Sequence, residues 1–394
     1  MKIAGIIAEY NPFHNGHALH IQKTREFTGA THIICVMSGN FVQRGQPALL
    51  DKWARAKMAL LGGADMVIEL PFLYAAQSAE GFAAGGVRLL SALRCVEFLS
   101  FGSECADLST LDRQAALLAR EPKELTLRIK ALLKEGLSYP GARGMAVAEH
   151  LGIPKESAPN DILAVEYLKA IRRYHADMRP VPVQRTGGGY HDNTLRPSLS
   201  SASAIRAAIA SSGVSDAILS NIPPACHSCF HEFTPLTDFS AHFKLLLYRI
   251  RSMRPGEIAN LHDVSEGLEH RIIDCAKNAE TLEELILAVK SKRYPYTRIQ
   301  RILLYIFAGV TRELVRHANE SVPYARVLGF RQDASALLSE QSRRSAIPVL
   351  VRSSDFLQNK VLEHDFYASD LYALLHTHKN APAGRDFRQP VITV

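Results

Sequence analysis

The sequence predicts an α/β protein in which a parallel sheet with helices on both faces is followed by a mostly helical C-terminal region. Short apolar runs recur through the first 185 residues without the alternation that marks a half-exposed strand, as in strands buried on both faces. Helix-length segments separate the runs, as parallel neighbours require. After about residue 224 the pattern is almost wholly helical. We therefore expect two domains, residues 1–215 and 216–394.

The individual elements follow from local sequence. Five buried strands are predicted at residues 2–8, 31–37, 65–70, 95–101 and 181–184. Helices are predicted at about 16–27, around Trp53 and Met58, ahead of the fourth strand, and over 107–175 with breaks at Pro122, Pro140 and Pro159. A short helix begins near Ser201, and the Pro-Pro pair at the end of residues 211–224 marks the domain boundary.

The composition is that of a folded protein with a modest basic excess. Apolar residues make up 47% and charged residues 22% of the 394 residues, which allows a sizeable core. A formal net charge of +7 permits a polyanionic partner such as RNA without requiring one. The N-terminal apolar run is interrupted by Glu9, which predicts no signal peptide, and the run at 302–310 is too short to span a bilayer. We expect a cytoplasmic protein with no membrane partner.

Six cysteines do not make the framework of a disulfide-rich domain. Cys226 and Cys229 form one C-x-x-C, but no second pair follows at the spacing of a zinc site. We therefore expect a reduced turn at the surface there, and we assign no metal ligand.

Three loops at predicted strand ends hold residues suited to ligand binding, namely residues 11–17, 38–45 and 102–104. In a parallel sheet, ligands bind beyond the carboxyl ends of the strands. None of these loops is G-x-G-x-x-G or a Walker loop, so dinucleotide and P-loop chemistry lose support.

The first loop contains His14-Asn-Gly-His17 at a turn from strand to helix. Two imidazoles three residues apart can point at one ligand, and the helix N-terminus adds unpaired N–H groups and a positive dipole end. Attack on an α-phosphate builds charge on its oxygens, which positioned donors stabilise. With Asn11-Pro12 ahead of it, this context resembles the H-x-G-H nucleotidyltransferase superfamily. We therefore predict a Rossmann-like ATP-binding domain with His14 and His17 as catalytic residues, and Mg²⁺ to neutralise the departing pyrophosphate.

A second phosphate-binding element is predicted at Ser200-Ser-Ala-Ser-Ala-Ile-Arg206. The hydroxyls of Ser201 and Ser203 can cap the helix and bind phosphate, and Arg206 can hold the distal phosphates by charge. No loop like Lys-Met-Ser-Lys-Ser occurs, which argues against an aminoacyl-tRNA synthetase.

Further motifs span nearly the whole chain. In order they are Glu9-Tyr-Asn-Pro-Phe-His-Asn-Gly-His17, Val36-Met-Ser-Gly-Asn-Phe-Val-Gln-Arg-Gly45, Lys52-Trp-Ala-Arg55, Val67-Ile-Glu-Leu-Pro71, Phe101-Gly-Ser-Glu104, Pro159-Asn-Asp-Ile-Leu163, Gly189-Tyr-His-Asp192, Lys292-Arg-Tyr294, Arg298-Ile-Gln-Arg301 and Arg326-Val-Leu-Gly-Phe330. This series resembles the tRNA(Met) cytidine acetate ligase family. The resemblance implies that ATP and acetate form acetyl-adenylate, and that the acetyl group then passes to N4 of the wobble cytidine, C34, of elongator tRNA(Met).

The resemblance also implies a set of ATP-binding residues. They are Ile7, Ala8, Glu9, Tyr10, Asn11, Pro12, Phe13, His14, Asn15, Gly16, His17, Ala18, Leu19, His20, Gly102, Asn160 and Arg185, with Thr186 beside them. Thr186 departs from the family, which usually has an apolar residue there. Ser203 and Ser291 likewise stand where threonine is more usual.

Two further sets of residues are predicted for the other substrates. Acetate is small and anionic, and Asn40, Gln43 and Arg44 on the second loop are candidates for its pocket. The segment from Lys290 to Arg301 holds five cations, two tyrosines and no acid, a combination suited to gripping RNA. Lys292, Arg293, Arg298 and Arg301 are therefore predicted tRNA contacts.

The sequence indicates no convincing general base. His191 and Asp192 are candidates, but a structural turn explains them better. Two other functions remain open. A small-molecule adenylyltransferase shares the first domain but leaves the basic segment unexplained. A non-catalytic RNA-binding protein with a relic nucleotide fold does not explain the intact His14, His17 and Arg206.

Overall fold

A computed structural model describes residues 1–153, 158–185, 195–232, 237, 239–352, 355, 358–376 and 382–394. The strands are β1 (Ile3–Ala8), β2 (His32–Ser38), β3 (Phe41–Val42), β4 (Gln46–Pro47), β5 (Met66–Leu70), β6 (Phe98–Ser103), β7 (Arg179–Gln184), β8 (Ala325–Phe330), β9 (Val349–Leu350) and β10 (Ile392–Thr393).

The helices of the N-terminal half are α1 (Asn15–Thr28), α2 (Lys52–Leu61), α3 (Phe72–Ala75), α4 (Ala79–Ala92), α5 (Leu108–Arg120), α6 (Lys123–Lys134), α7 (Tyr139–Leu151), α8 (Pro159–Arg173) and α9 (Ala202–Ser212). They are followed by α10 (Asp216–Leu219), α11 (His227–Glu232), α12 (Phe243–Ser252), α13 (Pro255–Ala259), α14 (Leu268–Cys275), α15 (Leu282–Val289), α16 (Tyr296–Ala308), α17 (Arg312–Glu320), α18 (Ser335–Arg344), α19 (Lys360–Ala373) and α20 (Arg385–Arg388).

The predicted parallel sheet is confirmed, and β1 lies near its centre. The strand order is β10-β8-β5-β2-β1-β6-β7, and β5, β2, β1, β6 and β7 run parallel. The chain passes outward from β1 through β2 to β5, then returns to the other side of β1 for β6 and β7. The strand order therefore reverses between β1 and β6, which is where open α/β sheets bind their ligands.

The fourth predicted strand lies further along the chain than expected. β6 runs from Phe98 to Ser103, and its pairing with β7 continues to Ser103 opposite Gln184. Cys95 and Val96 are buried but precede the strand, so their apolar character reflects packing outside the ladder. As a consequence, Gly102 lies within a strand and not in the loop that follows it.

The expectation of an almost wholly helical second half is wrong at the sheet. β8 pairs antiparallel with β5, and β9 and β10 pair with β8. A six-residue run such as Ala325–Phe330, which is apolar except for Arg326, cannot be told from a buried helical turn by periodicity alone. These strands place the end of the chain against the first half.

A buried set of charges fixes β8 to the first half. Lys52 Nζ lies 2.8 Å from Glu69 Oε1 and 2.6 Å from Asp386 Oδ1, and Arg326 Nη1 lies 2.6 Å from the same Asp386 oxygen. All four side chains are at most 3% exposed. Two cations and two carboxylates balance, and removal of one would leave an uncompensated buried charge.

The segment around Cys226 and Cys229 also differs from the expectation of a surface turn. Both thiols are fully buried, in a core cluster that includes Trp53 and Met58 of α2. Burial raises the pKa of Cys226 to about 12. Segments on both sides of residue 215 contribute to this cluster, and the division into domains 1–215 and 216–394 stays a prediction.

Candidate active site

A cleft of about 560 Å³ opens at the carboxyl ends of β1, β6 and β7, beside α1. Its lining includes ten of the residues predicted for ATP in the first loop: Ile7, Ala8, Glu9, Tyr10, Asn11, His14, Gly16, His17, Leu19 and His20. Gly102, Asn160, Arg185, Ser201 and Ser203 line the same cleft. The fold thus brings together five segments that lie apart in the sequence.

His14 and His17 cap the N-terminus of α1 reciprocally. The Gly16 N–H donates to His14 Nδ1 at 3.1 Å, and the His14 N–H donates to His17 Nδ1 at 3.2 Å. This is the hydrogen-bond pattern of a capping box, with imidazole nitrogens in place of the usual oxygens. A Cβ on residue 16 would lie 2.9 Å from His14 Cε1, so the ring can cap the helix only over glycine.

The capping pattern determines what the two rings offer to a ligand. Because each Nδ1 accepts a backbone N–H, each neutral ring carries its proton on Nε2. The rings stack with centroids 3.7 Å apart. Burial lowers the pKa of His14 to about 3, with further lowering from Arg185 and Arg206. Burial, His14 and Arg185 hold the pKa of His17 well below its ordinary value. At neutral pH the pair therefore presents two neutral N–H donors.

His20 extends this row of imidazoles one turn along α1. Its Nε2 lies 3.0 Å from Ser100 Oγ of β6, and Thr24 Oγ1 lies 2.7 Å from the same hydroxyl. Burial and Arg185 lower the pKa of His20 to about 4. The ring is thus neutral near pH 7 and is tied to the floor of the cleft.

The ends of β6 and β7 form the opposite wall together with the start of α8. Asn160 Nδ2 donates to Glu104 Oε1 at 2.5 Å, and Arg185 Nε lies 3.9 Å from the same oxygen. Asp161 accepts the N–H groups of Glu104 and Cys105, which fixes the β6 loop to α8. A Cβ at Gly102 would lie 3.3 Å from Arg185 Cγ. The small residue therefore leaves the arginine side chain room against the strand.

The Ser-rich motif begins α9, as predicted. The Ser201 side chain accepts the Ala204 N–H at 3.1 Å, and Ser203 lines the cleft. Arg206 Nη1 donates to the Asn11 carbonyl at 2.6 Å, and Nη2 donates to Ser203 Oγ at 3.3 Å. Arg206 is not among the residues that line the cleft. It holds the first loop through the Asn11 carbonyl. Its predicted role in gripping phosphates stays a prediction.

The residues predicted for acetate on the second loop lie in two different places. Gln43 and Arg44 line the cleft. Asn40 does not: its Oδ1 accepts the Lys52 N–H at 2.8 Å, and its Nδ2 donates to Ser369 Oγ at 3.2 Å. Because its amide is engaged by helix α2 and helix α19, Asn40 supports the loop and does not line this cleft.

The basic segment reaches the cleft through α16. Thr297 and Arg301 line it, although Arg301 was predicted only as a tRNA contact. A Cβ at Gly45, whose φ is +76°, would lie 2.7 Å from the Arg301 Cα. The loop after β2 therefore packs directly on α16.

The other predicted tRNA contacts lie outside the cleft. Arg298 is paired with Asp263 at 2.6 Å, and the exposed Arg293 is paired with Glu266. The exposed Lys292 lies close to Gly136, before α7. Two of the cations predicted for RNA thus already have carboxylate partners within the chain.

Some residues predicted for ATP do not line the cleft, and some residues that line it were not predicted. Pro12, Phe13, Asn15 and Ala18 do not line the cleft; Phe13, for example, is fully buried against α2. Thr186, and with it His191 and Asp192, lies outside the described residues. The cleft also contains Lys23, Phe27, Phe82, Tyr167 and Thr297. Of these, only Lys23 and Phe27 carried a signal, since they continue the α1 face of His20.

No group of three or more His, Cys, Asp or Glu side chains in the described ranges is placed to hold a metal ion. No helix in the described part of the chain is long and apolar enough to cross a membrane.

Comparison with known proteins places these features in a family. A family model described as HIGH Nucleotidyl Transferase matches residues 1–386. A tRNA(Met) cytidine acetate ligase of Acetivibrio thermocellus is 41% identical over 416 residues, covering 100% of both chains. One from Clostridium perfringens is 39% identical, covering 95% of this chain and 96% of the relative. Among solved structures, Thermotoga maritima TmcAL superposes with a TM-score of 0.91 in its apo form and 0.89 bound with alpha-thio ATP. Both structures are 31% identical and cover 100% of each chain.

Proposed function

This chain belongs to the tRNA(Met) cytidine acetate ligase family of HIGH nucleotidyltransferases, and we propose that it joins acetate to N4 of the wobble cytidine of elongator tRNA(Met) at the expense of ATP. Its first step activates acetate. A carboxylate oxygen attacks the α-phosphorus of ATP, the bond from that phosphorus to the bridging oxygen breaks, and pyrophosphate leaves with the electron pair. Acetyl-adenylate remains in the cleft.

The observation that carries this proposal is the pair of capped imidazoles at the start of α1. Both rings line the cleft, and both are neutral donors because their Nδ1 atoms are occupied by backbone N–H groups. Negative charge grows on the oxygens of the α-phosphate during attack, and fixed donors in a water-poor site stabilise it without reorganisation. The free N–H groups and dipole of the helix N-terminus act in the same direction.

The remaining contacts are assigned by their position around this pair. Gly102, Asn160 and Arg185 hold the nucleoside end of ATP on the β6–β7 side. Ser201 and Ser203 bind the phosphates at the start of α9, and Arg206 holds the loop that carries His14. Acetate binds on the β2 side, where Gln43 and Arg44 line the cleft.

Mg²⁺ enters as part of the substrate Mg²⁺–ATP. The described residues offer no cluster of three metal-binding side chains, whereas phosphate oxygens and water are ligands that Mg²⁺ prefers. The ion neutralises charge on the departing pyrophosphate. The chain's own part is to position the phosphates.

The second step transfers the acetyl group to tRNA. We assign the basic surface that begins at Lys292 and continues to Arg301 to contact with the tRNA backbone, because Arg301 also lines the cleft. An acyl-adenylate is already activated, so that bringing the cytidine amine next to it supplies a large part of the rate. The proposed place of action is the cytoplasm, where tRNA and ATP are available.

One incubation tests the whole proposal. The protein is given ATP, labelled acetate and an elongator tRNA(Met) transcript, and the RNA is digested to nucleosides; a transcript with uridine at position 34 is the matched control. We expect labelled N4-acetylcytidine from the first transcript, none from the second, and one AMP released per acetyl group. AMP retained stably in a product would instead identify a small-molecule adenylyltransferase.

A further inference from the structure

Glu9 is an anomaly in a cleft built for anions. Among the described lining residues it is the only carboxylate, whereas Lys23, Arg44, Arg185 and Arg301 supply four cations. ATP and acetate are both anionic, and a carboxylate facing them is unfavourable unless it has a partner or a task. The chemistry of the first step has no proton to remove, since acetate is the nucleophile. The second step does.

The carboxylate is held firmly in its place. Glu9 follows directly on β1, and its Oε1 accepts the Gln43 N–H at 3.0 Å. Its carbonyl accepts from Nη1 of Arg55 at 2.8 Å. Arg55 is fully buried and also donates to the Ser38 carbonyl at 3.0 Å. The ends of β1 and β2 are thereby fixed to each other, with the Glu9 side chain between the two loops.

The nucleoside end of ATP is assigned to the β6–β7 side of the cleft, and the sheet order places the Glu9 carboxylate towards the opposite, β2 side. β2 and its loop lie on one side of β1, and β6 and β7 lie on the other. Gly102 and Arg185 belong to the β6–β7 side, whereas the Gln43 backbone that binds Glu9 belongs to the β2 side. That loop packs on α16 at Gly45. A base presented by RNA bound along the basic segment therefore enters next to Glu9.

From this arrangement we propose that Glu9 is the general base of the acyl-transfer step, taking a proton from the exocyclic amine of the acceptor cytidine. The inference rests on the function proposed above and concerns its second step. The N4 nitrogen forms a bond to the acetyl carbon, the bond from that carbon to the phosphate oxygen breaks, and AMP leaves with the electron pair. One N4 proton passes to a Glu9 carboxylate oxygen and from there to water.

A base is needed because the nucleophile is poor. The N4 lone pair is delocalised into the pyrimidine ring, and the nitrogen becomes strongly acidic as it bonds to carbon. A positioned base then contributes about 10²–10⁴-fold to the rate. A carboxylate serves this purpose because it only accepts hydrogen bonds, whereas the neutral imidazoles nearby are occupied as acceptors and present donors.

The substitution Glu9→Gln separates this role from ATP binding. A glutamine oxygen can still accept the Gln43 N–H, and the side chain keeps its size while it loses the capacity to take a proton. Two rates are measured on wild type, Glu9→Gln and the control Glu124→Gln, which changes an exposed acid on α6. One is acetate-dependent pyrophosphate exchange into ATP, and the other is single-turnover transfer from preformed acetyl-adenylate to tRNA.

We expect Glu9→Gln to slow transfer by about 10²–10⁴-fold and to slow exchange by less than about tenfold, because glutamine keeps the hydrogen bond to the Gln43 N–H and only the charge on the acceptor is lost. The residual transfer should rise with pH, because hydroxide must replace the missing base, while the control keeps the wild-type profile. If transfer and exchange fall together, the carboxylate acts in ATP binding or beside its metal ion, and the inference is wrong. It is equally wrong if transfer stays within threefold, about 0.65 kcal/mol, of wild type. A wild-type protein that neither exchanges nor transfers would instead overturn the proposed function.

Discussion

The catalytic role of His17 can be separated from its role in the capping box of α1 by the choice of substitution. Glutamate is a usual partner at the position of His17, where its carboxylate oxygen accepts the N-cap N–H. In His17→Glu that oxygen replaces Nδ1 as the acceptor of the His14 N–H, but an ionised carboxylate has no donor to replace Nε2–H. His17→Ala loses both the donor and the acceptor.

The magnitudes follow from these contacts. Loss of one positioned donor to a developing oxyanion costs about 10²–10³-fold in rate, or about 2.7–4 kcal/mol of transition-state stabilisation. Both variants should lose pyrophosphate exchange by at least this factor. The free energy of unfolding should differ between them, since loss of a helix cap costs about 1 kcal/mol and His17→Glu retains the cap.

The assays are exchange of labelled pyrophosphate into ATP at saturating acetate, and unfolding in urea followed by circular dichroism. The His17→Glu variant should be more stable than His17→Ala by about 1 kcal/mol, the contribution of the retained cap. A glutamate variant that exchanges at the wild-type rate would refute the donor role of the ring. A glutamate variant as unstable as the alanine variant would refute the reciprocal cap.

Three further predictions concern acid stability, the buried charges and RNA contact. Because the pKa of His14 is lowered to about 3 in the fold and is about 6.5 in an unfolded chain, its stabilising contribution is complete above pH 6.5 and is lost as the pH falls towards 3. His14→Asn should therefore lose about 2 kcal/mol less than wild type between pH 7 and 5 in urea titrations, and an identical loss would contradict the shift. Lys52→Met should cost about 3–5 kcal/mol of unfolding free energy, because Glu69 and Asp386 keep only one cation between them; a neutral outcome in the same titration would show that the network is not closed. Lys292→Glu should weaken tRNA binding and reduce the slope of log affinity against log salt by about 1, measured by filter binding, whereas an unchanged slope would remove Lys292 from the interface.

The sequence was sufficient to predict the parallel part of the sheet and most of the first-loop residues that line the cleft, because both depend on local signals. Buried strands have continuous apolar runs in the sequence, and the H-x-G-H turn carries both of its imidazoles within four positions. The features that the sequence did not predict depend on contacts between residues far apart in the chain. The place of β8 depends on a pairing between Met66 and Phe330, and periodicity cannot choose between partners in a sheet.

The same limit explains why the position of individual residues relative to the cleft could not be predicted. Asn40 stands in a loop that looked ready for a ligand, but its amide is used by Lys52 and Ser369, and no local pattern reveals such partners. Arg301 was predicted as an RNA contact from the cations and tyrosines of its segment, and only the packing of Gly45 on α16 brings it to the cleft. Glu9 was visible as a motif residue, but its isolation among cations requires the assembled cleft.

Acetate-dependent exchange of labelled pyrophosphate into ATP, with and without tRNA, tests the central claim most directly. The claim is that the His14–His17 turn forms acetyl-adenylate. The account predicts exchange that requires acetate, is abolished by substitution of both histidines, and survives in Glu9→Gln at more than about a tenth of the wild-type rate, because glutamine keeps the hydrogen bond to the Gln43 N–H. Pyrophosphate exchange that does not depend on acetate, or the absence of exchange even with tRNA present, would contradict this claim. Either result would favour adenylylation of another small molecule.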